Sequence, residues 1–258
     1  MVAAVLSATA CTVEQQSVNR FDFNLFPEAV EWQLGDQLAA ELADSVVVVD
    51  DEAVQTYIQG LGEELVAHTD LADRPWVFTV IEDPSVNAFA IPGGRVYVHS
   101  GLLEAVVSEH ELMGVLAHEV AHGEARHATE QLSERYGLVL AGSFVLGQDP
   151  GLVEQIAAEI VAAGVTAKFS RDDEREADRL GLVTLAEAGV PPASMAEFFE
   201  LLLARQDRRP SSVEQFFDTH PLTADRVADV RTRSADITVG ERRPEDPAML
   251  ARIQQLLR

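Results

Sequence analysis

The stretch His118-Glu119-Val120-Ala121-His122 constrains this 258-residue chain more than any other. Leu112, Val115, Leu116, Val120 and Ala121 surround it at helical spacing, and no proline interrupts them. The segment therefore reads as one long amphipathic helix over Glu111–His127. Residues four apart on a helix share a face, so both imidazoles can reach one ion. Glu119 stands beside them, near enough to take a proton from water at that ion.

On a helix, this spacing of two His and one Glu is the signature of a zinc peptidase. A catalytic zinc needs a third protein ligand and one open position. One pattern would place Gly and then His three and six residues after His122, but Ala125 and Ala128 stand there. His127 is one residue out of register; on a continuous helix it turns away and reads as a surface or packing histidine. The remaining source is a Glu on a later helix. Ser170-Arg171-Asp172-Asp173-Glu174-Arg175-Glu176-Ala177-Asp178 supplies it, with Glu174 and Asp178 again four apart. Taken alone, that run is an ordinary solvated charged face. Beside the first motif, Glu174 is expected to complete the ligand set. Asp178 is expected to accept the second N–H of a ligating imidazole, which fixes its tautomer and orientation. Glu176 is rotated away and expected to be non-ligating.

The rest of the pattern is α+β. Pro27-Glu28 opens a helix with Val30, Leu34, Leu38 and Leu42 at spacing four, and Asp50-Asp51-Glu52 opens a second through Val66. Trp76–Ile81, Val86–Ile91 and Arg95–His99 read as strands, the last two joined by Pro92-Gly93-Gly94 into a hairpin. From Ser100 on the pattern is helical, with Leu152–Phe169, Asp172–Ala188, Ala193–Arg205, Ala224–Arg233 and Glu245–Leu257 as further helices. Three parts are expected: an anchor and linker over 1–20, a metallopeptidase domain over 21–236, and a tail helix over 237–258.

Charge narrows the partners. Asp and Glu number 43 against 19 Lys and Arg, a field that repels phosphate backbones, so no nucleic-acid partner is expected. No run approaches the ~20 apolar residues of a membrane-spanning helix, the nearest being Gly137–Gly147. Cys11 is the only cysteine, so no internal disulfide forms. Ala8 and Ala10 before it resemble a bacterial lipoprotein cleavage site. That points to a lipid anchor at Cys11 and a place in the cell envelope, although no basic residue precedes Arg20.

Gly114-Val115-Leu116-Ala117-His118-Glu119-Val120-Ala121-His122, taken with Glu174-Arg175-Glu176-Ala177-Asp178, resembles the Ste-type zinc metallopeptidases, relatives of the CAAX prenyl protease. Asn87-Ala88-Phe89-Ala90-Ile91-Pro92-Gly93-Gly94 resembles the family's hairpin before the active-site helix, and Thr219-His220-Pro221-Leu222 with Arg226 resembles a late family motif. The resemblance implies a mainly helical gluzincin-type fold with one small antiparallel sheet or hairpin beside the active-site helix. It implies one zinc on His118, His122 and Glu174, Glu119 as general base, and polypeptide substrates, with the soluble or lipid-anchored branch fitting better than the membrane-spanning one. It also offers His220 and Arg226 as groups near the reacting carbonyl. His220 is either a ligand that swings onto the open metal position or a donor to the oxyanion; without the resemblance it reads as a surface loop histidine. The edge Asn87, Ala88, Phe89 is expected to pair with substrate backbone. A low-turnover metal-bound chaperone or binding module is the rival reading, against which stands the retained Glu119.

Overall fold

The structure, a computed structural model, describes residues 23–146, 151–162, 168–208 and 210–258. Cys11 and the expected anchor lie outside the described residues, as does Gly147 at the end of the apolar run. In chain order the elements are α1 (Glu28–Leu42), α2 (Glu52–Val66), β1 (Val77–Ile81), β2 (Ala88–Ile91), β3 (Arg95–His99), α3 (Ser100–Ala105), α4 (Glu109–Glu124), α5 (His127–Leu146), α6 (Leu152–Ala162), α7 (Arg171–Glu187), α8 (Ala193–Arg208), α9 (Glu214–Thr219), α10 (Ala224–Asp236) and α11 (Pro247–Leu256).

The helix starts follow local chemistry. Asp51 accepts the amides of Ala53 and Val54 at the head of α2. Ser108 accepts the Glu111 amide at the head of α4. Ser170 and Asp173 form a reciprocal capping box on α7.

The sheet has the order β1-β3-β2. The expected hairpin is present, with β2 antiparallel to β3, but β1 runs parallel to β3, so the sheet is mixed. Gly93 and Gly94 turn the hairpin at φ +79° and +66°, a conformation that favours glycine. The sheet is buried on both sides. Phe78, Val80, Ala88, Val96 and Val98 join the main core with α2 and α4, while Ile81, Ile91 and Tyr97 join a second core with α1 and α6. The outer edge of β1 is closed by two glutamines one turn apart on α2. The Gln55 amide group donates to the Val80 carbonyl and accepts from its amide, and Gln59 does the same with Trp76 and Phe78. The exposed edge of the sheet is therefore β2.

Helix α4 runs through the centre of the main core. Leu112, Met113, Leu116 and Val120 are fully buried, each worth about 1.5–3 kcal/mol over an exposed position. That burial offsets part of the cost of taking His118, Glu119 and His122 out of water. Helix α7 lies against α4 at Gly181, where a Cβ would stand 3.2 Å from the Ala117 carbonyl. This close approach brings Glu174 and Asp178 to the histidines. The C-terminal α11 adds Leu250 and Ile253 to the same core.

Three sequence expectations fail. The expected helix over Glu111–His127 ends at Glu124, and α5 starts afresh at His127. Between them Arg126 takes a left-handed φ of 61°. Such a conformation costs a non-glycine residue about 1–3 kcal/mol. It is offset by the guanidinium, which donates to the Phe26 carbonyl at 2.6 Å and to Glu31 at 2.5 Å. Helix α6 is described over Leu152–Ala162, and Phe169, expected at the end of that helix, lies outside any helix just before α7. The loop expected before His220 is instead a short helix, α9, with His220 in extended backbone at its end.

Candidate active site

Three elements bring four donor residues to one point. Helix α4 supplies His118 and His122, α7 supplies Glu174, and the residue after α9 is His220. One donor atom from each lies within 4.8 Å of every other, and all four residues are buried. The Nε2 atoms of His118 and His122 are 3.1 Å apart. Glu174 stands 3.5 Å from each of them. His220 Nδ1 is 2.9 Å from Glu174 and 3.4 Å from His118 Nε2.

A second layer holds these groups. Asp178 Oδ1 is 3.1 Å from His118 Nδ1. Arg226, on α10, donates to both oxygens of Asp178 at 2.6 and 2.7 Å and also pairs with Glu174. Its guanidinium lies over the Phe199 ring, 4.8 Å from the centroid. All three guanidinium nitrogens thus face Asp178, Glu174 or the Pro221 carbonyl. The guanidinium is engaged by two carboxylates and by the Pro221 carbonyl, next to His220.

The electrostatics of the cluster favour a cation. Burial pulls His118 down, but its hydrogen bonds to the Asp178 and Glu174 carboxylates outweigh it and raise its pKa to about 9. Burial opposes ionisation of Glu174, yet His220 and the hydrogen bonds from His118, His122 and His220 hold its pKa well below the usual range. Asp178 is likewise lowered, with Arg226 overcoming burial. Burial depresses His122 strongly. Glu119 is raised by burial, against the pull of His220, His118 and the Ala90 amide. His220 Nε2 is 3.6 Å from one of the Glu119 oxygens.

The edge strand runs alongside. The His99 amide donates to the Asn87 carbonyl, so by antiparallel alternation Phe89 also faces β3 while the backbone groups of Ala88 and Ala90 point outward. The Val86 amide is already bonded to the Ser212 carbonyl, so the exposed edge is shorter than the sequence implies. Asn87 is fully buried with its side-chain amide unpartnered, and Phe89 stacks on Tyr97. A narrow cleft lined by Ala90, Ile91, Pro92, His122, Arg126 and Phe169 borders this strand.

Three residues here escape the sequence reading. Phe169 stacks on the His122 ring, 3.9 Å between centroids, and nothing in the sequence marks it. His127 turns out to be buried, with its Nδ1 2.9 Å from His122 Nδ1. Glu176 approaches the far side of His127 at 3.6 Å. The left-handed turn at Arg126 reverses the geometry that a continuous helix would impose on His127.

A buried His-Glu-x-x-His helix faced by a glutamate from a second helix, beside a sheet edge, defines a metallopeptidase. Residues 52–234 match peptidase family M48, and the chain belongs to that family. It is 33% identical over 215 residues to the β-barrel assembly-enhancing protease of Escherichia coli K12, covering 79% of this chain and 44% of that protein. It is 32% identical over 171 residues to the mitochondrial metalloendopeptidase OMA1 of Schizosaccharomyces pombe, covering 66% of this chain and 50% of that one. Against the metalloprotease YcaL of Escherichia coli K12 the identity is 30% over 165 residues, 62% and 63% of the two chains. The chain spans about half the length of the first two relatives.

Proposed function

We propose that the chain is a zinc endopeptidase that cuts unfolded or misassembled proteins at the cell envelope. The observation that carries this is the convergence of three imidazoles and one carboxylate, all buried, within 4.8 Å. The donor set suits zinc. Tetrahedral coordination at 2.0–2.1 Å separates two imidazole nitrogens by about 3.3–3.4 Å, and here they stand 3.1 Å apart. His118, His122 and Glu174 would hold the ion. Bound there, it would polarise the scissile carbonyl and acidify water.

The chain's own residues do the rest. Glu119 takes the proton from the attacking water and passes it to the departing amine nitrogen; burial raises its proton affinity toward what that task needs. Asp178 orients His118, and Arg226 keeps Asp178 and Glu174 in register. The outward backbone of Ala88 and Ala90 pairs with an extended peptide, which suits an unfolded substrate. The relatives named for β-barrel assembly and for mitochondria support work on proteins at membranes. Among the described residues no helix is long and apolar enough to cross a membrane, and a lipid at Cys11 would hold the chain to one.

Purified protein should cleave unfolded casein, lose that activity on chelation and regain it with zinc. A zinc-loaded protein that binds casein without cutting it would point to a binding module instead.

His220 acts as a latch in this reading, standing at the fourth position when substrate is absent. Removing it frees the site for more of the time, and apparent affinity scales with that open fraction. His220→Ala should therefore cleave casein about tenfold faster at unchanged zinc content. A fall of about 10²–10³ would make it an oxyanion donor, and a rate within about twofold would leave neither role standing.

A further inference from the structure

We propose that His127 and Glu176 form a positioning relay that fixes the tautomer and angle of His122 for metal binding. The proposal rests on the metal-site reading above and starts from the two nitrogens of one ring. A neutral imidazole carries one N–H and one lone pair. His122 presents Nε2 to His118 and Glu174, so a lone pair used there leaves the ring proton on Nδ1. Among the described residues that N–H has one partner within reach, His127 Nδ1 at 2.9 Å. His127 must then accept at Nδ1, and its own proton must sit on Nε2. Nε2 faces a carboxylate, Glu176 Oε2, at 3.6 Å, and has no other partner among the described residues. Every proton in the chain His122–His127–Glu176 is thereby assigned in one direction.

The backbone is shaped for this contact. His127 is only 1% exposed, at the first position of α5. It reaches His122 because Arg126 adopts the left-handed conformation and is held there by Phe26 and Glu31. Phe169 stacks on the His122 ring, so ring tilt is restricted by a face contact while rotation in the plane is restricted by His127. The two ligand histidines are supported differently. His118 meets a carboxylate directly at 3.1 Å, whereas His122 meets one through an intervening imidazole. The oriented dipole of that imidazole raises the basicity of His122 less than a direct carboxylate would, but fixes the ring as firmly.

A packing role and a relay role separate on paired variants. His127→Asn keeps an acceptor oxygen where Nδ1 stands; His127→Leu fills similar space with none. Zinc affinity is measured by competition with a chromogenic chelator, with thermal unfolding of the metal-free proteins as the control. His127→Leu should bind zinc about 10–100-fold more weakly than the parent. His127→Asn should recover most of that loss, at similar metal-free stability. In the zinc-loaded parent, nitrogen NMR of the imidazoles should find the His127 proton on Nε2. His127→Leu binding zinc as tightly as the parent, or a His127 proton on Nδ1, overturns the relay while leaving the metal site intact. If neither variant folds, the NMR assignment on the parent alone decides. A folded parent that binds no zinc at all overturns the metal-site reading and the relay with it.

Discussion

Glu119→Gln is expected to cost about 10²–10⁴-fold in casein turnover, the range for removing a general base, while zinc content stays at the parent level. The amide has the shape of the carboxylate but cannot accept a proton. Glu119 is fully buried, and the backbone group that acts on it is the Ala90 amide, which the glutamine oxygen can still accept from. Stability should move the other way. Burial raises the Glu119 pKa in the folded state above the ordinary value. Between the unfolded and folded pKa values the folded chain holds more of this proton, so its stability falls as pH rises through that window. Above it, the folded protein carries the full cost of a buried charge, which glutamine lacks. Metal-free Glu119→Gln should therefore unfold at a temperature no lower than the metal-free parent on the alkaline side of that window. Turnover near the parent rate in a zinc-loaded variant would remove Glu119 from the mechanism, and loss of zinc would recast it as a ligand.

What the sequence made legible divides along physical lines. His118, Glu119 and His122 were readable because helical period fixes which residues share a face. Glu174 and Asp178 followed from the same period on a second helix, joined to the first by the need for a third ligand. The strands and the hairpin turn were readable from alternation and from Gly93-Gly94. Pairing between distant strands is not a local property, and the parallel neighbour of β3 could not be read from Trp76–Ile81. The turn at Arg126 was hidden for a different reason. No glycine or proline marks it; the conformation is held by Phe26 and Glu31, about a hundred residues upstream. His127 was set aside on helix geometry that this turn cancels, whereas Glu176, on the intact α7, stays outside the donor group and meets His127 instead. Arg226 was placed near the site, but nothing local says that Asp178 and Glu174 would occupy its guanidinium.

Those two carboxylates make Glu174→Ala the sharper test of the metal assignment. The variant is expected to lose zinc affinity by more than the roughly 100-fold upper range of changes behind the ligands. Asp178→Ala should stay inside that range, at about 10–100-fold. The excess has two sources. A ligand oxygen is lost outright, and two imidazoles on one helix are fewer than the three protein ligands of a catalytic zinc. Glu174 also holds one end of Arg226. Without it, the guanidinium keeps only Asp178, and its Nη2, 3.4 Å from His118 Nε2, can turn to donate to that nitrogen and compete for its lone pair. A positive group then faces the position of a dication. The same loss should lower metal-free stability, since breaking a buried pair costs about 3–5 kcal/mol; zinc binding is therefore measured well below the unfolding temperature of each protein. Glu174→Gln separates the terms, keeping an oxygen that can accept from Arg226 while discarding the charge. It should be more stable than Glu174→Ala and still bind zinc poorly. If both variants hold zinc as tightly as the parent, Glu174 is not the third ligand, and His220 becomes the group to test in its place.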